Sequence, residues 1–140
     1  MQKPIASLLA VGLLVVAACG TGGEVEPGPV SSLEDFAGTY ENVGSVGQFY
    51  LHILEDGTVH FSSNRDLVED RPEIIDETRF EGTKVFLNEI KGTCVDEDAI
   101  ADAIYEIHLL ENGNLQFVEI EDTCLARSIP LSVDEYAPVP

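Results

Sequence analysis

The sequence predicts an all-β protein: a small antiparallel up-and-down β-barrel of about seven or eight strands, preceded by a signal peptide and a flexible linker. Three observations carry this prediction. Beyond residue 31, apolar and polar residues alternate with the period of half-buried strands. A turn built on an acidic or amide residue followed by glycine occurs twice in similar surroundings, at Asp56-Gly57 and Asn112-Gly113. No window of about ten residues has the spacing of an amphipathic helix. The length of 140 residues suits one domain, and an apolar share of 44% suffices for a packed core. The 26 acidic residues against 7 basic ones give a formal charge of −19, which argues against nucleic acid as a partner.

Taken in order, residues 1–18 read as an export signal. Lys3 is its only charge, and Ile5 through Ala18 carry no ionisable group. That apolar run falls short of the roughly 20 residues a membrane-crossing helix needs, so cleavage is the stronger reading. Val16-Ala17-Ala18-Cys19 resembles the lipobox of bacterial lipoproteins. The resemblance implies cleavage before Cys19 and acylation of its sulfur, and often of the new amine. Two or three acyl chains pass the threshold for stable anchoring, at about 0.8 kcal/mol per buried methylene. The protein is therefore expected outside the cytoplasm, held on a bacterial membrane at the cell surface or outer membrane. Gly20 is not the Asp that resembles an inner-membrane retention signal. Residues 19–30 are rich in Gly and Pro and read as a lipidated linker, 31–136 as the barrel, and 137–140 as a tail.

With Cys19 acylated, Cys94 and Cys124 remain, and an oxidising compartment leaves them one intramolecular pairing. Closing a loop of about 30 residues contributes roughly 3–4 kcal/mol on the chain-entropy estimate.

Within the body, Ser31–Phe36 suggests a single helical turn. The segment His52–Phe61 then matches His108–Phe117 in both pattern and turn. A two-residue loop at Asp56-Gly57 would mix polar and apolar residues on each face. A three-residue loop, Glu55-Asp56-Gly57 with Gly57 left-handed, pairs Ile53 with Val59 and Leu51 with Phe61 and gathers Phe49 onto the same face. The same register in the second copy brings Ile107, Leu109, Leu115 and Phe117 together. A third hairpin fits Ile74–Glu81 and Lys84–Ile90 around Gly82, with Phe80, Val85 and Leu87 directed to the core. A last strand is expected over Thr123–Leu131.

Phe36, followed by Gly38-Thr39-Tyr40 entering the first strand, resembles the start of lipocalin and calycin barrels. There a Gly-x-Trp closes the barrel base, and an Arg of the last strand lies over the ring. The resemblance assigns those places to Tyr40 and Arg127, a stacked pair worth about 0.5–2 kcal/mol. The body also resembles a group of bacterial lipoproteins with a lipocalin-like domain. It does so through Gly38-Thr39-Tyr40, Glu55-Asp56-Gly57-Thr58, Phe80-Glu81-Gly82-Thr83, Tyr105-Glu106 with Leu109-Leu110, Asp122-Thr123-Cys124 with Arg127, and Glu135-Tyr136-Ala137-Pro138-Val139. The group brings no activity with it. The body is shorter than a typical lipocalin and Tyr40 replaces the Trp, which argues against a roomy ligand cup.

Catalytic and metal chemistry is sparse. His52 faces His60 across its hairpin, but zinc needs further ligands, and no free cysteine supplies them. In the second copy His108 faces Gln116. Asp96-Glu97-Asp98 with Asp102 suggests calcium, yet an EF-hand needs Gly and Glu where Ala101 and Ile107 stand. There is no Gly-x-Ser-x-Gly, no nucleophile beside a base and no phosphate-cradling loop. No enzyme activity and no cofactor are expected. Two functions remain. In one, a small apolar molecule sits inside the barrel, lined by Phe49, Leu51, Ile53, Phe61, Ile107, Leu109, Leu115 and Phe117. In the other, those side chains fill the interior, and the outer face serves protein contacts or envelope structure. Small barrels of about eight strands do either.

Overall fold

The computed structural model describes residues 25–44, 47–95 and 102–140. The leader, Cys19 and the first part of the linker lie outside the described residues, as do Asp96, Glu97, Asp98 and Ala101. The elements in order are β1 (Gly28–Pro29), a 3-10 turn (Glu34–Phe36), β2 (Gly38–Val43), β3 (Tyr50–Ile53), β4 (Val59–Ser62), a second 3-10 turn (Arg65–Leu67), β5 (Ile74–Glu81), β6 (Lys84–Lys91), β7 (Asp102–Leu109), β8 (Leu115–Glu121), α1 (Leu125–Val133) and β9 (Glu135–Pro138). Strands β2 to β9 each pair antiparallel with the next, and β9 returns to β2, closing an eight-strand up-and-down barrel. β1 adds to β7 beyond the end of β6, pairing Gly28 with Leu109.

The hairpin registers follow from the turns. Ile53 pairs with Val59 and Leu51 with Phe61. Leu54 N–H donates to the Thr58 carbonyl at 2.9 Å, and Gly57 adopts φ 85°. The Asp56 carboxylate accepts the Thr58 N–H at 2.9 Å, an Asx turn that fixes the loop. The second copy repeats each contact: Leu110 to Asn114, Gly113 at φ 85°, and Asn112 accepting from Asn114 at 3.0 Å. Only glycine adopts that left-handed backbone without strain. The third hairpin turns at Gly82, with Val85 and Leu87 buried and Phe80 packed against the core.

The converging side chains fill the barrel. Leu51, Ile53, Ile107, Leu115 and Phe117 are 0–1% exposed and belong to one contiguous cluster. Phe117 meets Tyr105 and Tyr136 edge-to-face at 6.3 and 5.9 Å, a favoured aromatic geometry. Leu33, just before the 3-10 turn, and Phe36, at its end, are both buried in this core, and Ala37 joins the turn to β2.

Three expectations are corrected. Thr123–Leu131 is not a strand but leads into helix α1. The tail is not free, because residues through Pro138 form β9 and Val139 N–H donates to the Thr39 carbonyl at 2.8 Å. The linker ends earlier than residue 30: Gly28-Pro29 is paired, and Val30 is buried. Proline lacks a strand donor, so Pro29 and Pro138 are tolerated in such short, terminal pairings.

Candidate functional site

Helix α1 sits over the barrel end where β8 finishes. Its segment holds apolar residues at alternate positions, Leu125, Ile129 and Leu131, which reads as a strand. Helical spacing instead places Cys124, Arg127, Ser128 and Leu131 on one inner face, and all four are buried. Asp122 starts the turn by accepting the Cys124 N–H at 2.8 Å, and Ser128 N–H donates to the Cys124 carbonyl at 2.8 Å. The helix tolerates Pro130, which forgoes one helical hydrogen bond. The Tyr136 hydroxyl anchors that turn by donating to the Pro130 carbonyl at 2.8 Å. The Cys94–Cys124 disulfide, with Cα atoms 5.8 Å apart, ties the segment after β6 to the start of α1.

Arg127 is the largest fully buried side chain among the described residues, 1% exposed. Its guanidinium grips Asp122 with two hydrogen bonds, Nε to Oδ2 at 2.8 Å and Nη2 to Oδ1 at 2.9 Å, and reaches Asp76 Oδ1 through Nη1 at 2.9 Å. Such a fork is the strong form of a charged hydrogen bond. The Tyr105 hydroxyl donates to Asp122 Oδ2 at 2.6 Å. The expected stacking of Tyr40 on Arg127 is not among the cation–π contacts of the described residues. Tyr40 instead donates its hydroxyl to the Phe36 carbonyl at 2.9 Å. Among the described residues, a cation–π contact forms at Arg79 over Phe86.

Asp76 and Glu89 are cross-strand partners at inward positions of β5 and β6, 0% and 2% exposed. Asp76 Oδ2 and both Glu89 oxygens make no hydrogen bond of standard geometry. Three buried carboxylates thus face one guanidinium. Burial pushes the Asp76 carboxyl up to about 7; Arg127 pulls against this, while Glu89 and Asp122 add to it. Burial also raises Glu89, opposed by Arg127 and the Cys94 backbone N–H. At Asp122 burial is outweighed by the hydrogen bonds from Arg127 and Tyr105, which hold it below the ordinary range. Sequence reasoning missed this cluster. Its signal was an acid in phase with Ile74 on one strand and with Val85 and Leu87 on the next.

Beside the cluster lies a cleft of about 320 Å³ between α1 and the strand ends, lined by Phe49, Phe61, Ser62, Glu73, Ile74, Thr93, Ala126, Arg127 and Pro130. Of the eight residues expected to line a ligand site, Phe49 and Phe61 border this cleft. Leu51, Ile53, Ile107, Leu115 and Phe117 are core, and Leu109 is partly buried against it. A larger hollow of about 410 Å³ is walled mainly by charged residues, among them Arg65, Asp66 and Glu69.

The histidines are committed elsewhere. His52 and His60 are opposite each other, ring centroids 6.2 Å apart. His52 Nδ1 lies 2.9 Å from Thr39 Oγ1, and His60 Nδ1 faces the Val68 and Glu69 carbonyls. Glu89 lies with Cys94 and Cys124 in a group of metal-ligand type, but the disulfide consumes both thiolates. No family model, curated protein or solved structure matches this chain.

Proposed function

We infer that this protein is an exported, lipid-anchored binding barrel with a lipocalin-like domain, which holds a small apolar molecule in the cleft beneath α1 rather than along the barrel axis. The cleft itself carries the reading. Its volume of about 320 Å³ falls in the range of small-molecule sites, and its walls are largely Phe49, Phe61, Ile74, Ala126 and Pro130. The filled interior makes the barrel a rigid support for that site. The lipobox-like run before Cys19 supplies the anchor in this reading, and the disulfide is compatible with export. The chain enters the barrel at β1, beside Leu109 and away from the α1 end, so a tether from Cys19 leaves the cleft facing outward.

The test is saturable one-to-one uptake of 1-naphthylmethanol, an uncharged apolar probe, by the full chain, lost when Ala126→Trp fills the cleft. Absence of uptake, or uptake indifferent to that substitution, contradicts the reading. A second reading takes the filled core at face value and makes the barrel an envelope interaction module. The exposed Leu125 and Ile129 of α1, 69% and 47% accessible, favour it.

A further inference from the structure

Acidic groups outnumber basic ones in and behind the described lining of the cleft. Among the described residues its one cation is Arg127, which is already hydrogen-bonded to Asp122 and Asp76. Among the described residues an incoming carboxylate finds no uncommitted positive group there. Glu73 lines the cleft and is exposed; Ser63 occupies its Oε1 at 2.6 Å. Behind the wall sits Glu89, whose oxygens make no hydrogen bond of standard geometry among the described residues. Gly92 leaves room for it. A Cβ on that glycine would lie 2.0 Å from Glu89 Oε1 and 3.0 Å from Ile74 Cγ1, so the carboxylate sits close behind a residue of the cleft wall. Lys91 does not line the cleft and donates to the Pro72 carbonyl at 2.8 Å. Around the cleft the described residues therefore supply more carboxyl groups than cations, within a chain of formal charge −19.

We propose that the cleft selects cationic apolar ligands, hydrophobic amines whose ring or chain packs on Phe49, Phe61 and Pro130 while the ammonium faces Glu73 and the Glu89 side of the wall. This rests on the cleft reading above and adds the charge of the ligand. The physical reason is desolvation. A buried carboxylate is costly, and a nearby cation offsets that cost, whereas a second anion adds to it.

Three naphthalene probes of similar bulk separate this inference from the reading beneath it. The full chain, exported so that the disulfide closes, is titrated calorimetrically near neutral pH with 1-naphthylmethylammonium, 1-naphthylmethanol and 1-naphthylacetate. The ammonium should bind about tenfold tighter than the carboxylate, with the alcohol between them. Glu73→Gln and Glu89→Gln should each narrow that gap. The gap is a ratio within one variant, so a change in overall stability does not imitate it. A carboxylate binding as tightly as the ammonium overturns the charge preference and leaves the cleft reading standing. A gap unchanged in both variants overturns the assignment to these carboxylates. Failure of all three probes to bind removes the cleft reading and this inference together.

Discussion

Replacing Asp76 with asparagine tests the buried cluster through its pH dependence. In the folded protein the Asp76 carboxyl is raised from 3.8 to about 7, chiefly by burial. The folded state therefore holds a proton there that the unfolded chain releases, and stability falls as pH rises between those values. At about 1.4 kcal/mol per pH unit, the full displacement corresponds to about 4 kcal/mol. The penalty is absent below the unfolded value and complete above about pH 7. The side-chain amide introduced by Asp76→Asn carries no charge, keeps an oxygen for the Arg127 guanidinium and puts an NH2 group in place of the unpartnered Oδ2. Urea unfolding from pH 4 to 8 should show the variant gaining on the natural protein by about 4 kcal/mol as pH rises. The raised Glu89 contributes with the same sign in the natural protein. A stability difference that stays constant across this range would refute the reasoning. So would one in which the natural protein gains, the signature of a lowered carboxyl.

Two further outcomes follow from the same end of the barrel. Arg127→Met leaves Asp76 and Asp122 buried without their counter-charge and should cost about 3–5 kcal/mol at neutral pH; in urea unfolding, the loss should shrink toward pH 4 as Asp76 takes a proton. Replacing Cys94 and Cys124 together with Ser should cost roughly 3–4 kcal/mol by the loop-entropy estimate, and a loss below about 1 kcal/mol by the same measurement would show that the tie to α1 adds little.

Much of the barrel was legible because turn chemistry is local. Asp56-Gly57 and Asn112-Gly113 each demand a left-handed glycine and an Asx acceptor, and those demands determine the strand registers on either side. The Cys94–Cys124 pairing was legible by elimination. Helix α1 was not. Its nine residues include Pro130, and its helical face becomes apparent only once Arg127 is known to be an inward residue held by acids from β5 and the end of β8. Periodicity scores an arginine as outward and so assigns the wrong period. β1 and the second half of β9 read as linker and tail because Gly28-Pro29 closes a Gly- and Pro-rich run and two of residues 137–140 are proline, while their pairing comes from partners far along the chain. The cleft depends on where α1 rests, a tertiary fact with no local signature. Phe49 and Phe61 were correctly grouped on one face, but nothing local showed that they border the mouth while Leu51 and Phe117 close the interior.

Where an apolar molecule settles is the most direct test of a filled barrel with a cleft at its end. A crystal structure of the protein soaked with 1-naphthylmethanol should place the ring against Phe49, Phe61 and Pro130, with Leu51, Phe117 and Tyr136 undisturbed. A ring lodged among those core side chains, or one seated only on the outer face of α1 at Leu125 and Ile129, would contradict it.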